Sequence, residues 1–174
     1  LPMGPGLENV SKPINGVQRG RIYGVAAAPK AGKSTFVDYA FVVQPFLYAQ
    51  EHNLDIEWIY FSFELDRVSK EFDFATFFLF HDHGITTITL PEGITRDGQS
   101  VIDLSPDYLR GRMQDDDGET IVVKPEIFEV LQKVYAERII PMFGEYSVNG
   151  VQISKGYITF IEEKDNPTGH YKYL

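Results

Sequence analysis

The sequence predicts an α/β domain built around a largely parallel sheet. The prediction rests on the order of the apolar segments. A short apolar segment typical of a buried strand precedes a segment with helical periodicity, and this pair of segments then occurs a second time. A later helix and a last β-branched run continue the alternation. Strands that alternate with helices are typical of units in which a crossing helix returns the chain to a parallel strand.

The first half of the chain supplies the first strand, helix and strand. Residues 18–28 are predicted to form a short buried strand, because their apolar side chains are flanked by glycines. After Ser34 the apolar positions are three or four apart, as on one face of a helix: Phe36, Tyr39, Ala40, Val43 and Leu47. Pro45 lies within that helix, so we expect an interruption just before it. Residues 56–63 are β-branched and aromatic, which predicts a buried second strand.

Two helices and a strand are predicted in the second half. The first helix begins near Asp66, and its predicted apolar stripe is Val68, Phe72, Ala75 and Leu79. Extra phenylalanines outside the stripe favour burial in the core or at a subunit contact. Pro125 opens the clearest helix, with apolar residues at helical spacing as far as Ile139. Residues 157–161 are a last strand.

Turn signals separate these elements. The segment from Gly84 to Gly118 is predicted to be irregular, with turns at Pro91-Glu92-Gly93 and Asp97-Gly98. Asn149-Gly150 between two short apolar runs predicts a hairpin insertion. We expect residues 1–15 to be a leader and residues 16–174 to be the N-terminal part of one domain that continues beyond Leu174.

Composition excludes several classes of function. The 174 residues include no cysteine, which rules out disulfides, thiolate metal sites and a cysteine nucleophile. A net charge of −9 disfavours nucleic-acid binding by bulk charge. The apolar runs are far shorter than the ~20 residues that span a bilayer, and no signal segment opens the chain. We therefore expect a cytoplasmic protein without membrane contact.

One motif carries chemistry. Residues 27–35, Ala-Ala-Pro-Lys-Ala-Gly-Lys-Ser-Thr, match the phosphate-binding loop pattern, with Ala27 in place of the usual first glycine. Backbone N–H groups of such a loop surround a polyanion at the start of the following helix. Gly32 permits close approach, Lys33 places a positive charge on the β- and γ-phosphates, and the Ser34 hydroxyl ligates Mg²⁺. The residues expected to bind ATP are Ala28, Pro29, Lys30, Ala31, Gly32, Lys33, Ser34 and Thr35.

A second candidate is Glu64, in the segment Phe61-Ser62-Phe63-Glu64-Leu65. A carboxylate at the carboxyl end of a parallel strand faces the ligand crevice of the sheet. From there Glu64 would polarise a water molecule for attack on the γ-phosphate. The alternative is a solvated glutamate at the end of a strand.

These segments resemble the RecA-like ATPase core of DnaB-type replicative helicases. Residues 16–23 match its lead-in, G-ϕ-x-x-G-x-ϕ with ϕ apolar, and are followed by the Pro-Lys-Ala-Gly-Lys-Ser loop. Residues 59–64 match the F-S-x-E strand end, and the three segments come in the same order. The match covers about Gly16 to Asp66, and the rest has a general likeness to bacteriophage ATPases.

The resemblance implies a P-loop NTPase with a three-layer RecA-like core, incomplete here at its C-terminal end. It implies ATP and Mg²⁺ as cofactors, with Lys33 binding phosphate, Ser34 ligating Mg²⁺ and Glu64 activating water. It also implies a homo-oligomeric ring or filament in which a neighbouring subunit supplies a basic residue, and DNA contacts through regions beyond Leu174. A phage protein of this kind would act in the host cytoplasm.

Three other functions use the same loop. A viral DNA-packaging ATPase, similar to a terminase, would need a nuclease domain further along the chain. A nucleotide-binding assembly or switch module would bind ATP without turnover. A small-molecule kinase is the third, but no acceptor-binding lid is recognisable.

Several weaker signals have a structural alternative. The nearest candidates for the second Mg²⁺-site carboxylate are Glu162 and Glu163, which also fit a solvated acidic turn; the alternative is an aspartate beyond Leu174. His81-Asp82-His83 would bind a metal, although no further partner is evident. Asp115 to Asp117 with Glu119 would form a Ca²⁺ loop or a solvated one. The arginines that would serve a neighbour's phosphate, or simply solvate a face, are Arg110, Arg112 and Arg138.

Overall fold

The computed structural model describes residues 1–62, 65–147, 149 and 151–162. The chain divides into two compact units, Leu1–Trp58 (unit 1) and Ile59–Leu174 (unit 2). Glu64 and Glu163 lie outside the described residues. In the described part of the chain, no helix is both long and apolar enough to cross a bilayer.

Unit 1 is helical in its described elements. Its helices are α1 (Glu8–Ile14), α2 (Lys33–Val37) and α3 (Gln44–Glu51), and a π-helical segment, Asp38–Val43, joins α2 to α3. The expected leader takes part in this fold. The Leu1 amino group donates to the Val17 carbonyl at 2.9 Å, the Val17 N–H donates back at 2.8 Å, and the Met3 side chain is buried.

The interruption expected before Pro45 is confirmed, since the π-helical segment ends two residues before it. Proline has no N–H, and in an α-helix its ring collides with the carbonyl four residues earlier, here that of Phe41. The i→i+5 spacing of the π segment relieves that contact. The Phe41 carbonyl instead accepts a hydrogen bond from the indole N–H of Trp58 at 3.2 Å. A second π-helical segment, Tyr135–Ile139, likewise ends two residues before Pro141.

The strand predicted for residues 18–28 is wrong. Residues 21–28 have no regular secondary structure, and the Ile22 side chain is 100% exposed. The segment is rich in glycine and alanine, which bury little apolar area to offset the entropy of ordering the backbone. In the described residues, the parallel sheet contains only β1 (Trp58–Ser62) and β4 (Ile158–Glu162). A complete three-layer P-loop core therefore stays a prediction.

Unit 2 contains the remaining helices and strands. The helices are α4 (Arg67–His83), α5 (Pro106–Leu109), α6 (Pro125–Val134) and α7 (Ile140–Phe143). Strands β2 (Thr87–Thr89) and β3 (Val101–Asp103) pair antiparallel, with Ile88 opposite Ile102. The strands predicted at residues 56–63 and 157–161 are confirmed with shorter or shifted bounds, Trp58–Ser62 and Ile158–Glu162. The helix opened by Pro125 is confirmed as α6 followed by the second π-helical segment.

Helix α4 forms the centre of unit 2. Its N-cap is Asp66, whose carboxylate accepts from the Ser69 N–H at 2.7 Å, and it ends at Gly84 in the left-handed conformation. It packs against α5, α6 and the second π-helical segment. The residues of its buried apolar face are Phe74, Ala75, Phe78 and Leu79. The helix is confirmed, but its predicted stripe is partly wrong, because Val68 is exposed.

The segment expected to be irregular contains β2, β3 and α5, so that prediction is wrong in part. Its turns are confirmed. Ile94 donates to the Pro91 carbonyl at 3.1 Å, and Arg96 and Gln99 exchange two backbone hydrogen bonds of 2.9 Å across Asp97-Gly98. The predicted hairpin near Asn149 has an antiparallel bridge between Tyr146 and Gln152; Val148 and Gly150 lie outside the described residues.

Replacing Phe78 by alanine should destabilise the protein strongly, since this ring is 0% exposed and its removal leaves a cavity. We expect a loss of about 3 to 5 kcal/mol in the free energy of unfolding, measured by chemical denaturation. Phe80→Ala, on the same helix but at a site 56% exposed, is the matched control and should cost far less. Equal losses for the two variants would contradict the burial pattern of α4.

Candidate nucleotide-phosphate site

The phosphate-loop motif lies in unit 1 and continues into the first turn of α2. The chain turns twice within it: the Ala31 N–H donates to the Ala28 carbonyl at 3.2 Å, and Lys30 has a left-handed backbone with φ 61°. Gly32 follows with φ 75° and ψ 20°, and its carbonyl accepts from the Phe36 N–H at 2.9 Å. Gly32 is therefore the N-cap of the helix, in a conformation that favours glycine.

All predicted ligand-binding residues of the loop are open to solvent. Residues 28–35 are exposed throughout, so the Lys33 ammonium group and the Ser34 hydroxyl can be reached by a ligand. The first N–H groups of a helix have no acceptor within the helix. The motif thus combines free backbone donors, the Lys33 ammonium group and the Ser34 hydroxyl at the start of a helix. Through the π-helical segment and α3, this helix continues to Glu51.

Ala27 causes no backbone strain at the position of the usual first glycine. Among the described residues other than glycine, a positive φ occurs only at Asn15, Lys30, Asn53 and Asp97. Ala27 therefore has a conformation that any residue adopts. Its departure from the motif costs nothing in backbone energy, whereas the same change at Gly32 would cost about 1 kcal/mol or more.

Glu162, expected to be a possible Mg²⁺ ligand or part of a solvated turn, is neither solvated nor free. Its side chain is buried at the end of β4, and Oε1 accepts a hydrogen bond from the backbone N–H of Arg67 at 2.8 Å. Arg67 is the first residue of α4, where a carboxylate is stabilised by the helix dipole. The described contact gives Glu162 a structural role, and the prediction of a solvated turn is wrong for this residue.

Two of the candidate arginines are engaged within unit 2. Arg138 donates from Nε to Asp82 at 2.8 Å, and Arg110 donates from Nη2 to the Ser69 carbonyl at 2.6 Å. Burial would raise the pKa of Asp82, but hydrogen bonds from Arg138 and His81 outweigh it and lower that pKa. These contacts hold Arg110 and Arg138 against their own chain. Arg112 is exposed.

The weaker metal candidates are not brought together as sites. His81 pairs with Asp82 at 2.7 Å, and no group of three metal-ligating side chains occurs in the part of the chain that the structure describes. In the acidic run, Asp116 accepts from the Thr95 hydroxyl at 2.7 Å and from the backbone N–H groups of Asp97 and Gly98. These bonds lower the pKa of Asp116, the Thr95 contact first among them. Asp116 therefore holds the hairpin turn.

No sequence pattern assigns a role to residues 13–15, yet the structure places them beside the lead-in to the loop. Together with residues 18 and 21–23 they line a cleft of about 480 Å³. The spacing of the glycines identified the lead-in segment from the sequence. The cleft could not be predicted in this way, because it forms only where the end of α1 packs beside the lead-in, and a local sequence pattern does not show such packing.

Comparison of the chain with models of known protein families, with curated proteins and with solved structures gives no match.

The two glycine positions of the motif should differ in sensitivity. Gly32→Ala forces a side chain into the left-handed region and should weaken Mg²⁺-ATP binding about fivefold or more, which corresponds to about 1 kcal/mol. Ala27→Gly should change the affinity less than about twofold, since Ala27 already has an ordinary φ. Titration calorimetry on both variants measures this. A large gain in affinity from Ala27→Gly would show that the site needs a glycine there.

Proposed function

We propose that this chain binds ATP with Mg²⁺ through residues 27–35 and hydrolyses it to drive a nucleic-acid motor of the DnaB-helicase type. One observation carries the proposal: an exposed loop with the phosphate-binding pattern enters a helix through a left-handed Gly32. Free N–H groups, a lysine and a hydroxyl at a helix start are the groups that a triphosphate requires.

The charge distribution of the chain supports a polyanion at this place. Residues 9–37 contain five basic residues and no acidic one, although the whole chain has a net charge of −9. The basic residues of this segment are Lys12, Arg19, Arg21, Lys30 and Lys33. A local excess of positive charge attracts a nucleoside triphosphate despite the acidic remainder.

The residues present are suited to Mg²⁺ bound together with a nucleotide. This ion keeps several waters and takes few protein ligands when phosphate oxygens are available. The exposed Ser34 hydroxyl, in the first turn of α2, is the ligand that the loop offers. Bound there, the ion would neutralise charge on the β- and γ-phosphates, while Lys33 would hold the same oxygens.

Hydrolysis is assigned to Glu64 on the sequence alone. In the proposal its carboxylate orients a water molecule and accepts its proton as the γ-phosphate is transferred. Assembly into a ring or filament and contacts with DNA follow from the resemblance to DnaB-type helicases. A switch that binds ATP without turnover remains the rival that turnover measurements separate from this function.

Lys33→Ala should abolish or strongly weaken Mg²⁺-ATP binding, because the variant loses the charge that faces the β- and γ-phosphates. Lys133→Ala is the matched control, since it removes an exposed lysine of α6 that is outside both the loop and the basic segment. Binding of a fluorescent ATP analogue to the three proteins measures the effect. Equal affinities in all three would overturn the assignment of the site.

Glu64→Gln should retain ATP binding and lose hydrolysis by about 100-fold or more, the usual contribution of a positioned general base. Phosphate release with single-stranded DNA present measures turnover, and Glu92→Gln, in an exposed turn, is the control. If the unaltered chain binds ATP tightly but neither this chain nor Glu64→Gln hydrolyses it, the proposed ATPase function is wrong and the nucleotide-binding switch takes its place.

A further inference from the structure

Unit 1 contains a cleft that the phosphate loop does not use. Its volume is about 480 Å³, and it lies between the end of α1 and the lead-in segment. Pockets for small ligands are commonly ≈ 300–1,000 Å³ in volume. The lining residues that matter here are Ile14, Gln18, Arg21, Ile22 and Tyr23.

The Tyr23 side chain gives the cleft a fixed form. Its hydroxyl donates to the Gly16 carbonyl at 3.1 Å and accepts from the Gln18 N–H at 3.0 Å, which closes the lead-in loop on itself. The Tyr23 ring lies 5.4 Å from the ring of Phe41, on the helix that follows the phosphate loop. The wall of the cleft is therefore attached to the same helix that the loop begins.

The lining has the chemistry of a site for a flat, heteroaromatic ligand. Ile22 is fully exposed, and Ile14 beside it adds apolar surface that a ring would cover. A glutamine amide offers both a donor and an acceptor, the pair that reads the edge of a purine. Arginine guanidinium groups and aromatic rings stack on the faces of bases. Arg21 and Tyr23 place both of these groups at the cleft.

The cleft and the loop are close in the chain and share one unit. Only residues 24–26 separate Tyr23 from Ala27, so the two Cα atoms are at most ~14 Å apart. Phe36, in the first helix after the loop, has its ring 6.4 Å from that of Phe41, which also touches Tyr23. A nucleotide has both of the parts concerned, a planar base for the cleft and a phosphate chain for the loop.

We propose that this cleft binds the purine base of the nucleotide whose phosphates the loop binds, with Arg21 and Gln18 as base-contacting residues. The inference rests on the proposed nucleotide binding and adds a source of base selectivity to it. The phosphate loop recognises a triphosphate of any base, so discrimination between purine and pyrimidine has to arise elsewhere.

Affinities of the chain for Mg²⁺-ATP, Mg²⁺-CTP and Mg²⁺-bound inorganic triphosphate test the proposal. ATP should bind at least about tenfold more tightly than the other two, since a purine covers more of the apolar lining than a pyrimidine does and inorganic triphosphate has no base. Arg21→Ala and Gln18→Ala should each reduce the ATP affinity at least about fivefold and leave the triphosphate affinity within about twofold. Arg19→Ala removes a nearby exposed charge that does not line the cleft. This control should affect ATP and triphosphate equally.

Failure of the cleft and failure of the loop give different results. If ATP, CTP and triphosphate bind with equal affinity, and Arg21→Ala changes these affinities no more than Arg19→Ala does, the cleft does not bind the base. In that case, loss of binding of all three ligands in Lys33→Ala would still support the loop as the phosphate site. If the unaltered chain binds none of them, both proposals fall. Photolabelling with 8-azido-ATP adds a direct readout: modification within residues 13–23 supports the cleft, and labelling only elsewhere overturns it.

Discussion

Packing of the phenylalanine face of α4 is the interaction on which unit 2 depends. Helices α5 and α6 and the second π-helical segment all pack against this one helix. Two polar contacts fix its N-terminal end: Asp66 caps the first turn, and the buried Glu162 carboxylate accepts the Arg67 N–H. The strand that ends at Glu162 is thereby tied to the start of α4, so core packing and strand position are coupled.

In unit 1 the corresponding constraint is the change of direction at Gly32. A left-handed residue there lets the loop enter the helix with its first N–H groups facing solvent, which is where an anion binds most favourably. The helix then accommodates Pro45 through a π-helical segment, and the Phe41 ring within that segment contacts Tyr23. Loop, helix and cleft are thus connected through side chains of one unit.

The sequence predicted elements whose signal is local and strong. The periodicity after Pro125, the run that includes β1 and the Asp97-Gly98 turn are such cases, and Pro45 correctly indicated an interruption. Prediction was wrong where tertiary contacts decide. The glycine- and alanine-rich segment 18–28 lacks the side chains to hold a strand, and Glu162 looked like a surface carboxylate because its partner, the Arg67 N–H, is 95 positions away. The cleft in unit 1 was not predicted, because its lining residues come from two segments and no local pattern marks them.

Hydrogen exchange of the backbone amides of unit 1, with and without Mg²⁺-ATP, tests the central claim most directly. If residues 27–35 bind the triphosphate, the amides from Gly32 to Thr35 become protected, because phosphate oxygens accept their hydrogen bonds. The Lys33→Ala protein should show no such protection at the same nucleotide concentration. ATP binding that leaves these amides unprotected and protects amides only elsewhere would contradict the assignment of this loop as a phosphate site.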